Sequence, residues 1–161
     1  MTNQRARDLA ERLQKGANAL IDFARTLSPT EWQTRVPGDN RTVGTIVHHV
    51  ASVYPLEMQL ALTVAVASPV VGVTMDDVHA GNAKHAKEWY RVTTDAAVDL
   101  LMRNSADAAA AIRGLSDAQL DQSATVSLYN DAPLTCQFVL EDHAVRHSYH
   151  HLAVIRRALK R

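Results

Sequence analysis

Residues 140–160 read LEDHAVRHSYHHLAVIRRALK, and their side chains sort cleanly around a helix. Set Val145 to zero and advance about 100° per residue. Asp142, Arg146, Arg156, Arg157 and Lys160 then fall between about 20° and 120°. Leu140, Ala144, Ile155 and Ala158 fall between about 220° and 280°, an apolar arc that must face a core. The segment predicts an amphipathic helix from about Leu134 to Leu159, ending in basic residues that complement its dipole.

Three more helices follow from the same period. The first covers Asn3 to Arg25, with Leu9, Leu13, Ala17, Leu20, Ile21 and Ala24 recurring at three- and four-residue spacing. The second covers Arg41 to Ala67, with Pro55 expected to kink or split it. The third covers about Lys84 to Arg113, with Trp89, Val92, Ala96, Leu100 and Ala111 on one side. Ser68 to Ala83 is a connection too long for a simple bundle turn, so the second and third helices need not be antiparallel neighbours. A corner occurs twice, as Leu27-Ser28-Pro29-Thr30-Glu31-Trp32 and as Leu115-Ser116-Asp117-Ala118-Gln119-Leu120. In both, a Ser N-cap is followed three residues later by Glu or Gln. Loops are expected at Val36 to Asn40 and Ser127 to Pro133. The expected fold is all-α, a four-helix bundle forming a single domain over 1–161.

Composition agrees. The 161 residues are 47% hydrophobic, enough to fill a core. Six glycines and five prolines against 25 alanines favour helices. Lys+Arg and Asp+Glu are both 17, and that balance argues against nucleic acid or membrane surface held by bulk charge. One cysteine, Cys136, excludes an internal disulfide and a multi-Cys zinc site, and it is expected to be a small buried residue. The N-terminal residues lack the apolar core of a signal peptide. The longest apolar stretch, Leu60 to Val73, is shorter than the roughly 20 residues of a membrane helix; it serves either as core or as an interface. The expectation is a soluble, cytoplasmic protein.

Six of the eight histidines lie in two short segments: His48 and His49, then His143, His147, His150 and His151. On the fourth helix His147 and His151 fall near about 200° and about 240°, pointing inward, while His143 and His150 lie on the shoulder. On the second helix, counted from Val43, His49 falls on the inner arc near about 240° and His48 faces out near about 140°. His49, His147 and His151 thus converge on one interior. His147 and His151, four apart, can reach one ion. Neutral imidazole is a common transition-metal ligand, and three protein ligands leave a position open for water or substrate. The alternative is a polar core network, in which each ring needs a hydrogen-bond partner. Glu57 is a candidate general base on the inner arc, although a phase shift at Pro55 would turn it to solvent. His143 is a candidate supporting residue or proton carrier. Tyr54 and Tyr149 either line a pocket or pack. His79 and His85 are expected to be exposed.

Thr42-Val43-Gly44-Thr45-Ile46-Val47-His48-His49-Val50-Ala51 and His143-Ala144-Val145-Arg146-His147-Ser148-Tyr149-His150-His151 resemble the two histidine motifs of the DinB/YfiT-like family. The order of elements matches over nearly the whole chain. The resemblance implies an up-down-down-up bundle and a divalent metal, nickel or zinc, on His49, His147 and His151. It implies a transferase using a low-molecular-weight thiol such as bacillithiol, mycothiol or glutathione, or a related hydrolase, acting on a small-molecule substrate. It also implies a homodimer. A non-catalytic dimeric metal-binding or stress-related bundle is the alternative. Two positions depart from the family pattern. Asn40-Arg41 stands where a Trp is often found, and Leu152-Ala153 stands where Gly-Gln often follows the last histidines.

Overall fold

The structure is a computed structural model and describes residues 3–161; Met1 and Thr2, the first residues of the expected domain, lie outside the described residues. Helix α1 (Gln4–Arg25) is capped by Asn3, whose side chain accepts from the Ala6 amide. It buries the expected stripe from Leu9 to Ala24. Both corners form short helices, α2 (Pro29–Trp32) and α6 (Asp117–Asp121), each closed by a complete capping box from Ser28 with Glu31 and Ser116 with Gln119. Such a cap is worth about 1 kcal/mol.

Helix α3 (Val43–Ala65) is capped by Thr42 and is not split at Pro55. Proline removes the amide that would bond the Ala51 carbonyl. Asn104 Nδ2 donates to that carbonyl instead, at 2.8 Å. A side chain from another helix thus restores the missing bond, and the apolar face continues beyond Pro55. Gly44 lets the buried Trp32 indole lie against α3, where a Cβ would come within 2.4 Å of the ring nitrogen.

The expected third helix is two. Thr74 forms a capping box with Asp77 and starts α4 (Met75–Glu88) inside the supposed connection. The chain then turns, and Thr93 caps α5 (Thr94–Arg113). This break resets the phase. Ala97, Val98, Leu101 and Ile112 are buried, whereas Ala96 is exposed and Trp89 is 41% exposed. Val92 is buried as expected, and its carbonyl accepts from the Trp32 indole at 2.8 Å.

The loop expected at Ser127 to Pro133 lies within a hairpin. Strands β1 (Ser123–Val126) and β2 (Ala132–Thr135) pair antiparallel, with Ser123 opposite Thr135. Asn130 and Asp131 turn it with φ of 53° and 58°, a left-handed conformation Asn and Asp tolerate better than most residues. The last helix begins at Cys136 rather than Leu134 and is not uniform. It runs as α7 (Cys136–Leu140), a π-helical turn (Glu141–Val145) and α8 (Arg146–Leu159).

The bundle core lies among α1, α3, α5 and the α7–α8 segment, with α1 packed on α5 and α8, and α3 packed on α5, α7 and α8. Asn3 bonds the Leu115 carbonyl and Gln14 bonds Ser105, so α1 and α5 run antiparallel. Thr45 Oγ1 donates to the Trp89 carbonyl at the end of α4, and Asn104 of α5 donates to the Ala51 carbonyl of α3. No described helix is long and apolar enough to cross a membrane.

Candidate metal centre

Helix α3 carries His49, and α8 carries His147 and His151 one turn apart. Each offers a ring nitrogen, and the three nitrogens lie within 4.8 Å of one another. The ring centroids of His49 are 5.3 Å from His147 and 5.5 Å from His151, and those of His147 and His151 are 4.8 Å apart. His49 and His151 are 6% and 9% exposed. Burial pushes both pKa values down to about 2, and the Arg41 charge and neighbouring imidazoles push the same way. Both rings are therefore neutral, the form with a lone pair for a metal. The Nδ1 atom of His151 is buried with no hydrogen-bond partner, which a polar core network would not leave.

These shifts make stability depend on pH. An unfolded imidazole titrates near 6.5. Below that pH the unfolded chain takes up protons that the folded rings refuse. Stability is complete above about pH 6.5 and is lost progressively below it, by up to about 1.4 kcal/mol per pH unit for each ring. The melting temperature of metal-free protein is expected to fall from pH 7 to pH 5, and to fall less steeply in His49→Leu. Equal slopes in the two proteins would refute this account.

Glu57 is 7% exposed and does not turn to solvent. Because α3 continues through Pro55, its carboxylate keeps the inner phase and hydrogen-bonds the Nδ1 of His147. Its second oxygen, Oε2, is buried without a partner. His143 is half-buried, and its Nε2 lies 2.9 Å from the Tyr129 hydroxyl, which also bonds Asp142. Arg146 Nη1 donates to Asp142 at 2.9 Å. Burial lowers the His143 pKa, keeping it neutral.

Two expectations fail together. His48, expected to face out, is 4% exposed, and His85, expected to be exposed, is half-buried. Helix α4 folds over α3 and brings them to 2.8 Å between ring nitrogens, with His48 stacked on Trp89 at 4.0 Å. His79 and His150 are exposed. Tyr54 packs, buried, with its hydroxyl 2.6 Å from that of Ser148, and Tyr149 donates to the Arg12 carbonyl at 3.0 Å. Cys136 is fully buried, and burial raises its thiol pKa to about 11, so it is no nucleophile.

A cavity of about 1080 Å³ opens at the three histidines. Besides the expected residues it is lined by Arg41, His85, Tyr129 and Asp142, which the sequence reading did not assign to the site. Arg41 was visible only as a departure from a family pattern. Tyr129 sits on a hairpin turn, where no periodicity marks it.

An α-helical bundle whose interior opens on three converging imidazoles has the geometry of a candidate histidine metal centre. The chain is a member of the DinB superfamily, which it matches over residues 12–155. Comparison with curated protein sequences gives no match. Among solved structures it is similar to YfiT from Bacillus subtilis, with a TM-score of 0.77 at 18% identity, covering 99% of this chain and 89% of that one. YfiT is described as a probable metal-dependent hydrolase with an unusual four-helix bundle topology. At that identity the likeness establishes a shared fold.

Proposed function

We propose that this protein is a metal-dependent enzyme that holds nickel or zinc on His49, His147 and His151 and transfers a low-molecular-weight thiol to a small electrophile. Hydrolysis is the close variant. The observation that carries this reading is the large cavity at the three rings. A structural centre is normally closed, whereas a catalytic one keeps a position accessible. The residues fit a divalent ion: three imidazole nitrogen donors, one ring of them with a buried, unpartnered atom.

When bound, such an ion acidifies a thiol or water and polarises an acceptor. The remaining work falls to the chain's own side chains. Glu57 accepts from His147 Nδ1, which fixes the ring and leaves Nε2 as its donor atom. That role occupies Glu57, so His143 is the better proton carrier. The Tyr129 hydroxyl donates to Asp142, so its oxygen accepts from His143 Nε2–H. The Nδ1 of His143 then keeps a lone pair for a proton.

A non-catalytic homodimer is the second reading. Its support is the exposed apolar side chains of Leu62, Val66 and Val71, which are 38%, 67% and 72% accessible. The test is to incubate nickel- or zinc-loaded protein with bacillithiol, mycothiol or glutathione and a bimane electrophile, beside ester substrates without thiol. Thiol consumption that depends on metal and vanishes in His147→Ala is the expected result. Ester cleavage alone selects the hydrolase. Bound metal with neither activity selects the dimer.

A further inference from the structure

The last helix carries one residue too many for a continuous α-helix. In α8, counted from Val145 at about 100° per residue, the buried Ser148, His151, Leu152 and Ile155 fall between about 240° and 340°. Carried back into α7 without a break, the same count puts the buried Cys136, Val139 and Leu140 between about 120° and 220°. The two buried faces are out of step by about 100°, the advance of a single residue. The π-helical turn at Glu141–Val145 absorbs that residue: the Arg146 amide bonds the Glu141 carbonyl, five residues back rather than four.

The turn also changes what faces the cavity. Arg146, His150, His147 and His151, from about 100° to about 240°, all line it. In an unbroken α-helix Asp142 would lie at about 60°, outside that arc. An extra residue spread over the turn lowers the advance to about 80° per residue. Asp142 then lies at about 120° and His143 at about 200°, the direction of His147. Both line the cavity. Turns of this kind are uncommon and are found frequently at functional sites.

Tyr129, on the hairpin, joins the two residues so placed. Asp142 accepts on one carboxylate oxygen from Arg146 Nη1 at 2.9 Å and on the other from the Tyr129 hydroxyl. A phenol has one proton to donate, so the Tyr129 oxygen faces His143 Nε2, 2.9 Å away, as an acceptor. The two rings meet edge-on, with 5.8 Å between centroids.

We infer that the extra residue in the last helix is a site-building insertion, and that Asp142 and Tyr129 are positioning residues that hold His143 in its Nε2–H form. Resting on the proposed reading of the cavity as an active site, this assignment adds the residues through which the proton carrier is set. It needs no metal ion to be tested.

The test reads the His143 ring proton by proton–nitrogen NMR of the metal-free, histidine-labelled full chain at pH 8, with the resonance assigned by its loss in His143→Gln. A hydrogen-bonded Nε2–H is expected in the wild type and in Asp142→Asn, whose amide oxygen still accepts from Tyr129. It should vanish in Tyr129→Phe, which offers no acceptor. It should vanish too in Asp142→Ala, where the freed hydroxyl donates to Nε2 and the ring proton moves to Nδ1. Deletion of Glu141 should also remove it. The Glu141 side chain makes an exposed ion pair with Arg12, which stabilises little, and every buried side chain of α7 and α8 keeps its phase. The deletion variant is therefore expected to melt no lower than wild type. In whichever reaction the protein catalyses, Asp142→Ala should lower kcat at least about tenfold with KM unchanged, and Asp142→Asn should keep most of the rate. A missing proton in the wild type, a proton that persists in Tyr129→Phe, or an unchanged kcat in Asp142→Ala overturns the positioning role. A deletion variant that keeps the proton, or that does not fold, overturns the role of the turn. If the protein binds no metal and catalyses neither reaction, yet the proton behaves as stated, the proposed function fails and the placing of His143 stands.

Discussion

Replacing His151 with alanine is expected to reduce bound nickel or zinc from about one ion per chain to none after desalting. His49, His147 and His151 each offer one nitrogen within 4.8 Å of the others, and no further His, Cys, Asp or Glu joins that group among the described residues. Loss of one donor leaves two imidazoles and water, a site too weak to keep an ion through a column. The same loss is expected for His147→Ala. His150→Ala is the control. His150 is adjacent in sequence but exposed, and its replacement should leave the metal content unchanged. Elemental analysis reads the content directly. Thermal melts give an independent reading, because an ion that binds only the folded chain stabilises it by about 2.7 kcal/mol at a hundred times its dissociation constant. Zinc should raise the melting temperature of wild type and of His150→Ala, and not of His151→Ala. Full metal content in His151→Ala would remove the proposed centre.

Glu57→Ala is expected to weaken metal affinity by about 10- to 100-fold, the usual cost of losing a carboxylate behind a ligating histidine. The carboxylate hydrogen-bonds His147 Nδ1, so its loss frees the ring to rotate and leaves that N–H without its partner. Glu57→Gln keeps an acceptor without the charge and should fall between. Competition against a chromophoric chelator measures the constants. The pairing with His147 gives the sharper test. In a double-mutant cycle, Glu57→Ala should weaken metal binding in wild type and have almost no further effect in His147→Ala. Equal effects in both backgrounds would place Glu57 in packing, with no role at the metal.

The two carboxylate positions in this site were unequally legible. Glu57 lies on the inner arc by simple counting, and the doubt came from Pro55. Only the position of Asn104, fifty-three residues beyond Ala51, removes that doubt, by donating to the Ala51 carbonyl in place of the lost amide. Asp142 lies on the polar arc by counting, yet Tyr129 draws it to the cavity wall. The third helix failed for a related reason. Counting from Trp89 carried a phase across the turn before Thr93, and one irregular turn displaces every residue after it. Counting within an uninterrupted segment, as for α1 or from Val145 to Ile155, met no such break.

The sequence by itself determined the helical class, the two capped corners and the three converging histidines. Each depends on contacts within about one helical turn, where the 3.6-residue period and the capping chemistry act directly. Tertiary structure alone decided that α4 brings His85 onto the buried His48, that Tyr129 meets His143, and that the Arg41 Nη1 atom is buried without a partner. Those outcomes join residues from separate elements. They are set by how the helices and the hairpin pack together, which no local period encodes.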